Sequence, residues 1–201
     1  MAPLGVLSSA ILLPMSSLFA KLLEPSKRAE LKSRVGEGLL ALLAATLPFT
    51  VVVLTLSKPL VEVALQRAAF DESASVMVSS LVACYVAGSF AALARDLLTQ
   101  LFYALGEGCI PCYVTMVALV FNAILDWKLV HIGPMGLVLA TVFVNGLSLL
   151  IMLILLSNKL QGLPFKQWFL SFFKMIGASL VSAVATKWVY SWLVGTFVTI
   201  R

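Results

Sequence analysis

Charged residues along this chain fall into short clusters separated by long apolar runs. Residues 2–20, 38–57, 73–94, 108–125 and 132–158 contain no Asp, Glu, Lys or Arg, and residues 175–200 are interrupted only by Lys187. Each run is close to the roughly 20 residues that a helix needs to cross a hydrocarbon layer about 30 Å thick. Lipid offers no hydrogen-bond partner to the backbone, so only helices and closed barrels span it. The runs lack the period-2 alternation of barrel strands. The pattern therefore predicts an all-α fold, a polytopic transmembrane bundle of about six helices. Residues 1–160 are expected to form a five-helix unit, and residues 161–201 an interfacial segment followed by the sixth helix. In that last part Phe165 to Phe173 mixes aromatics with Lys166 and Gln167, as an interfacial helix does, and Trp188, Tyr190 and Trp192 suit an aromatic belt.

Turn chemistry sits between the runs. Gly106-Glu107-Gly108-Cys109-Ile110-Pro111 reads as a turn, Gly133-Pro134 opens the fifth segment, and Gly162-Leu163-Pro164 precedes the sixth. Pro14 and Pro48 lie inside the first two segments, where each removes a backbone donor and is expected to kink its helix. No Lys or Arg precedes Lys21, so the first segment reads as a spanning helix and not as a cleaved signal, which would carry a basic region in front.

Composition agrees with the pattern. The chain is 61% apolar and 11% charged, against about 45–50% and about 25% for soluble domains. Its basic residues are distributed unevenly. Lys21, Lys27, Arg28, Lys32 and Arg34 follow the first segment, Arg95 closes the third, and Lys159, Lys166 and Lys174 follow the fifth. The opposite side holds Lys58, Arg67, Lys128 and Arg201. Cytoplasmic loops collect Lys and Arg, so both termini are expected outside and residues 21–37 inside. The net charge of +5 then reflects topology and attraction to lipid headgroups. A nucleic-acid partner would call for a soluble basic domain, which the pattern leaves no room for.

The helix faces suggest what packs inward. The third segment carries two rows of small residues at i,i+4 spacing: Ser79, Ala83, Ala87, Ala91, and Ser80, Cys84, Gly88, Ala92. Such rows let another helix approach closely, so this segment is expected at the centre, with Ala83, Ala87, Gly88, Ala91 and Ala92 as packing residues. Thr115, Ala118, Asn122 and Asp126 share a face of the fourth segment, and Thr141, Asn145 and Ser148 a face of the fifth. Polar groups facing lipid are costly, so both faces should point inward. Arg95 and Asp96 have two readings, an ion pair at the mouth of a solute path or an anchor at the inner surface, and the anchor is the plainer one. For Asn122 and Asp126 interhelical hydrogen bonding comes before substrate contact.

Chemistry is sparse. No nucleophile–base pair or phosphate-cradling glycine loop appears, so no catalytic residue and no cofactor is expected, and the chain does not read as an enzyme. Cys109 and Cys112 form a C-x-x-C, but outside the βαβ setting of redox domains. A zinc site needs more ligands than these two and the single His131. Small apolar filler is the favoured reading of the cysteines, and no metal site is expected.

Several short motifs, in order, resemble the later half of a MurJ/MviN-type lipid II flippase, in the multidrug/oligosaccharidyl-lipid/polysaccharide exporter superfamily. Pro3-Leu4-Gly5-Val6-Leu7 through Leu13-Pro14-Met15-Ser16 is similar to the family's stretch around its eighth helix. Leu47-Pro48, then Leu56-Ser57-Lys58-Pro59-Leu60, resembles the next helix and its exit. Phe102-Tyr103-Ala104 followed by Pro111 is the most telling match, and Asn122 matches an Asn often found in the helix that follows. Gly136-Leu137-Val138-Leu139-Ala140-Thr141 resembles the family's Gly-Leu-Ala-Leu-Ala-Thr, with Asn145 after it. The resemblance covers nearly the whole chain, more loosely after Lys159. The turn before Pro111 lacks the family's usual Asp-Thr-Lys-Thr.

The resemblance implies the second lobe of a two-lobed transporter that moves a lipid-linked peptidoglycan precursor by alternating access. The family's key cavity charges come largely from the first lobe and from just upstream of Met1, so none is carried over. The chain then reads as a fragment or shortened form of such a flippase, in need of a complementary first half or a second copy. The alternatives are a non-transporting membrane partner or assembly protein, and a small multidrug-type exporter acting as a dimer. A bacterial inner membrane or a plastid envelope would suit it, with the bilayer and a lipid-linked precursor as partners. The topology has a direct check: cysteines placed in residues 21–37 should resist membrane-impermeant maleimide in intact cells and react after permeabilisation. Labelling from outside would reverse the orientation.

Overall fold

The computed structural model describes residues 2–22, 27–65 and 72–163, and beyond them Trp168, Leu170, Ser171, Phe173 to Met175, Gly177, Val181 and Trp188. Five long helices follow one another: α1 (Ala2–Lys21), α2 (Arg28–Leu65), α3 (Glu72–Ala104), α4 (Cys109–Leu129) and α5 (Pro134–Lys159), with a short 3₁₀ turn (Val130–Ile132) before the last. The described elements are all helical, as the run lengths predict. Among the described residues, four stretches are long and apolar enough to cross a membrane: Arg28–Thr55, Val76–Ala104, Cys109–Ile132 and Pro134–Lys159. The expected sixth segment, residues 175–200, and the interfacial segment before it lie largely outside the described residues.

Helix α2 extends further than its apolar run. Residues 28–37, which lie between the first two apolar runs, are its first turns. Leu31 and Val35, four residues apart, are buried there, while Arg34 pairs with Glu37 at 2.8 Å and with Glu30 at 3.9 Å on the outer side. One stripe is apolar and the other carries i,i+3 and i,i+4 ion pairs, the pattern that stabilises a helix at a surface. Pro14 and Pro48 lie within continuous helix and are exposed.

The ends of α3 and α5 are set by their last turns. Beyond Ala104, Glu107 N–H donates to Phe102 O at 2.9 Å and Gly106 N–H to Tyr103 O at 3.0 Å. This is the paired closure of a Schellman motif. Gly106 takes the required left-handed φ of 75°, which glycine adopts without a Cβ clash. Gly162 N–H closes α5 in the same way on Ser157 O at 2.8 Å, with Gln161 in the left-handed position.

Helix α3 is wedged between α2 and α5, touches α1 as well, and meets α4 only slightly. Its two flanks are distinct. Val86 and Leu97 face α2, where Thr50 Oγ1 donates to Val86 O at 3.4 Å and Leu97 reaches Gly38. Gly88, Arg95 and Thr99 face α5. Residues 86 and 97, and 88, 95 and 99, recur at the spacing of one helix face each. A Cβ at Gly88 would sit 2.5 Å from Val142 Cγ2, so the two helices touch there because glycine has no side chain. Ala83, Ala91 and Ala92 are half-buried, and Ala87 is exposed on the uncovered edge between the flanks. The fully buried cluster lies at the end where α1 and α3 finish, with Phe19, Leu98, Leu101, Phe102 and Leu156 at its centre. Helix α4 is peripheral: Pro111 is its one buried residue, and Tyr113, Met116, Leu119, Val120 and Trp127 are all exposed.

Substitution at the α3 rows separates packing from edge. Gly88→Leu overpacks the α3–α5 seam, at a cost of about 1–3 kcal/mol, and should lower the thermal unfolding midpoint in detergent. Ala87→Leu, on the open edge, should leave it nearly unchanged, and Leu153→Ala should cost less than Gly88→Leu. Equal tolerance at positions 87 and 88 would contradict this packing.

Candidate functional site

Arg95 and Asp96 lie on α3, Asn122 and Asp126 on α4, and Asn145 on α5. Arg95 lies nine residues before the end of α3, about 14 Å along the axis at 1.5 Å per residue, at the end of the uncharged run 73–94 and within the stretch Val76–Ala104. Its Nη1 donates to Asn145 Oδ1 at 2.9 Å, and its Nη2 pairs with Asp96 Oδ1 at 3.3 Å. The first bond joins α3 to α5 seven residues along α3 from the Gly88–Val142 contact, about two turns. Close approach is what lets a guanidinium on one helix reach an amide on the next. The side chains of Arg95 and Asp96 are 29% and 47% exposed. Asp96 shares the third, open face of α3 with Tyr85 and Tyr103, which are also exposed. A carboxylate on a membrane helix is stable only against water or another polar group, because hydrocarbon cannot solvate it. The open face of α3 therefore needs a polar neighbour.

Asn122 and Asp126 are one turn apart on α4. Asn122 Oδ1 and Asp126 Oδ1 are buried and have no hydrogen-bond donor among the described residues, and the same holds for Gln100 Oε1 on α3. A buried acceptor left unpaired costs about 1–3 kcal/mol, so these three oxygens are the sites where a donor from outside the described residues would gain most. Thr141 Oγ1 is turned back to Leu137 O on its own helix at 3.0 Å, and Ser148 is buried. The structure thus joins Arg95, Asp96 and Asn145 into one cluster and leaves Asn122 and Asp126 outside it. Among the described residues no group of three or more His, Cys, Asp or Glu side chains could hold a metal ion.

Contacts at one end of the bundle escaped the sequence reading. Lys159, at the end of α5, pairs with Glu107 in the α3–α4 turn. Lys32 Nζ donates to Gln161 O at 3.5 Å, and Trp168 packs on Gly36, where a Cβ would collide with the indole. Between them lies a groove of about 510 Å³, lined by Lys32, Ser33, Gly36, Glu37, Gly162 and Trp168 among others. The loops after the first, third and fifth segments, which hold most of the basic residues, are therefore together at one end. The one available signal for the ion pair was a lone acid and a lone base closing consecutive helical hairpins. A second groove, about 270 Å³, runs between α4 and α5 past Val117, Phe121, Val144 and Ile151 and is almost wholly apolar.

Comparison with known proteins gives this arrangement its family. A curated protein of Synechocystis sp., described as "Probable lipid II flippase MurJ", is 35% identical over 186 residues, which are 92% of this chain and 35% of that protein. A solved structure described as "Lipid II flippase MurJ, inward closed conformation" shares the fold, with a TM-score of 0.70 at 16% identity over 99% of this chain and 45% of that one. The chain thus spans less than half the length of these relatives. The model of the family "Lipid II flippase MurJ" matches residues 1–201 throughout, and this multi-pass membrane chain belongs to that family.

Proposed function

We propose that this chain acts as the second lobe of a lipid II flippase, moving a lipid-linked peptidoglycan precursor by alternating access when a complementary first half closes the cavity. The observation that carries the reading is the half-exposed Asp96 beside Arg95, within a helical stretch long and apolar enough to cross a membrane. Within a family of flippases, the neighbour such a face calls for is a hydrated cavity or the facing lobe. Rocking of one lobe against another around a midplane site is how such transporters expose that site to each side in turn. The Arg95–Asn145 bond supports the reading from a second direction. It fixes the guanidinium to α5 so that α3 and α5 can move as one body, and the Schellman closures hold their ends. In this reading Arg95 and Asp96 line the path, Asn145 positions Arg95, and Asn122 and Asp126 are acceptors for a facing helix. The proposed setting is a bacterial inner membrane or a plastid envelope.

A reconstituted liposome assay tests this. The purified chain as a monomer should not flip lipid-linked precursor, because a polar headgroup cannot cross hydrocarbon unshielded. Joined to a complementary first half, it should. Robust flipping by a demonstrated monomer would overturn the one-lobe reading, and flipping by a homodimer would favour the small-exporter alternative. No flipping in the joined protein would favour the non-transporting partner.

Within the joined protein, Asn145→Ala leaves Arg95 without its acceptor. Stability should fall by about 1–3 kcal/mol, and flipping should fall with it. Asn145→Asp keeps an acceptor and should restore much of both. Equal loss in the two variants would remove Asn145 from the role of positioning Arg95.

A further inference from the structure

The C-x-x-C at the start of α4 is the one chemically reactive element that transport leaves unused. Cys109 and Cys112 are free thiols and exposed, whereas Cys84 in the middle of α3 is half-buried. They stand at the first and fourth residues of α4, directly after the Gly106-Glu107-Gly108 turn. Glu107 of that turn is ion-paired with Lys159, which puts the thiols at the polar end of the span and not in its apolar middle.

The spacing suits a bond between them. On a helix of 2.3 Å radius rising 1.5 Å per residue, Cα atoms three apart are about 5 Å from one another, inside the roughly 4.4–6.8 Å range of disulfides. The Cβ atoms of such a pair are about 5–6 Å apart, against roughly 3.5–4.5 Å in a disulfide, so the first turn must tighten for the sulfurs to join. Pro111 has no N–H to hold it, Ile110 N–H is bonded to Glu107 O at 3.1 Å, and Cys112 N–H reaches Gly108 O only at 3.3 Å. Gly108, the residue in front, makes no side-chain cap.

We infer that Cys109 and Cys112 form a reversible dithiol–disulfide pair, a redox site at the basic-loop end of the bundle whose co-reactant is a low-molecular-weight disulfide such as oxidised glutathione. One cysteine thiolate attacks a sulfur of that disulfide, its S–S bond breaks, and the departing sulfur takes a proton as the first thiol product. The second cysteine thiolate attacks the mixed disulfide at the protein sulfur and expels the second thiol product, which takes the second proton. The cysteine pair is oxidised by two electrons and the small disulfide is reduced by two. Dithiols of this spacing in reducing compartments are used for transient, sensing chemistry and not as permanent struts. The closed form tightens the turn that carries Glu107, so its state reaches the Glu107–Lys159 pair.

Thiol counting on the full-length chain in detergent tests the inference. In excess reduced glutathione all three cysteines of the sequence should be available to maleimide after denaturation. In excess oxidised glutathione two of the three should be lost together, with the mass of two hydrogens removed and with Cys109 and Cys112 linked in one peptide. Cys84→Ser should not alter that loss. Cys109→Ser and Cys112→Ser should each abolish it and leave a stable glutathione adduct on the remaining partner. Persistence of both thiols across the redox series, a stable adduct at one site of the unmodified pair, or a crosslink between two chains would each overturn the inference. Far-ultraviolet dichroism of each serine variant, unchanged from the parent, separates loss of the bond from loss of the fold.

Discussion

Lipid tails are as apolar as leucine, so two helices in a bilayer gain little by hiding apolar surface from each other. They associate through close packing and through polar bonds that lipid cannot offer. Helices α3 and α5 use both. At Gly88 the missing side chain admits Val142, and about two turns further along α3 Arg95 reaches Asn145. The first contact sets the interaxial distance that the second requires. On its other flank α3 meets α2 through Val86 and Leu97, and the buried cluster around Phe19 and Phe102 seals the end where α1 comes in. The order of the bundle follows from this one helix having two closed flanks.

The same arrangement explains what remains open. Asp96, Tyr85 and Tyr103 fall on the face of α3 that neither flank covers. Helix α4 leans on α5 and turns a broad apolar face outward. An apolar face is at ease against lipid, whereas a carboxylate is not. The two uncovered surfaces therefore call for different neighbours, hydrocarbon for α4 and a polar body for α3. The chain spans less than half the length of its relatives, and the Arg95–Asp96 pair stays part-exposed on that open face.

At the end where the basic loops meet, water returns and the physics changes. Leu31 and Val35 are buried by the ordinary hydrophobic effect, and ion pairs such as Arg34 with Glu37 are solvent-screened and individually weak. The pairing of Glu107 with Lys159 there matters more for geometry than for stability, since it ties the α3–α4 turn to the end of α5. The C-x-x-C follows that turn directly, in the first turn of α4.

Much of this architecture was legible in the residues. Runs of about 20 apolar residues have one stable form in lipid, so the class, the order of the helices and the turns at Gly106, Gly133 and Gly162 could be read locally. The small-residue rows marked α3 as a packing helix, and short motifs in order pointed to the flippase family that the comparisons establish. Local pattern could not say which row closes on which neighbour. Gly88 is buried while Ala87 beside it is exposed, because that depends on where α2 and α5 lie around α3. Nor could it say that Arg95 bonds Asn145, fifty residues on, or that Asn122 and Asp126 stay without donors among the described residues. The sequence by itself determined the helices and their polar faces, because backbone satisfaction in lipid is a local requirement. Only the tertiary structure decided which polar groups meet, because side-chain pairing depends on distances between helices that no single helix encodes.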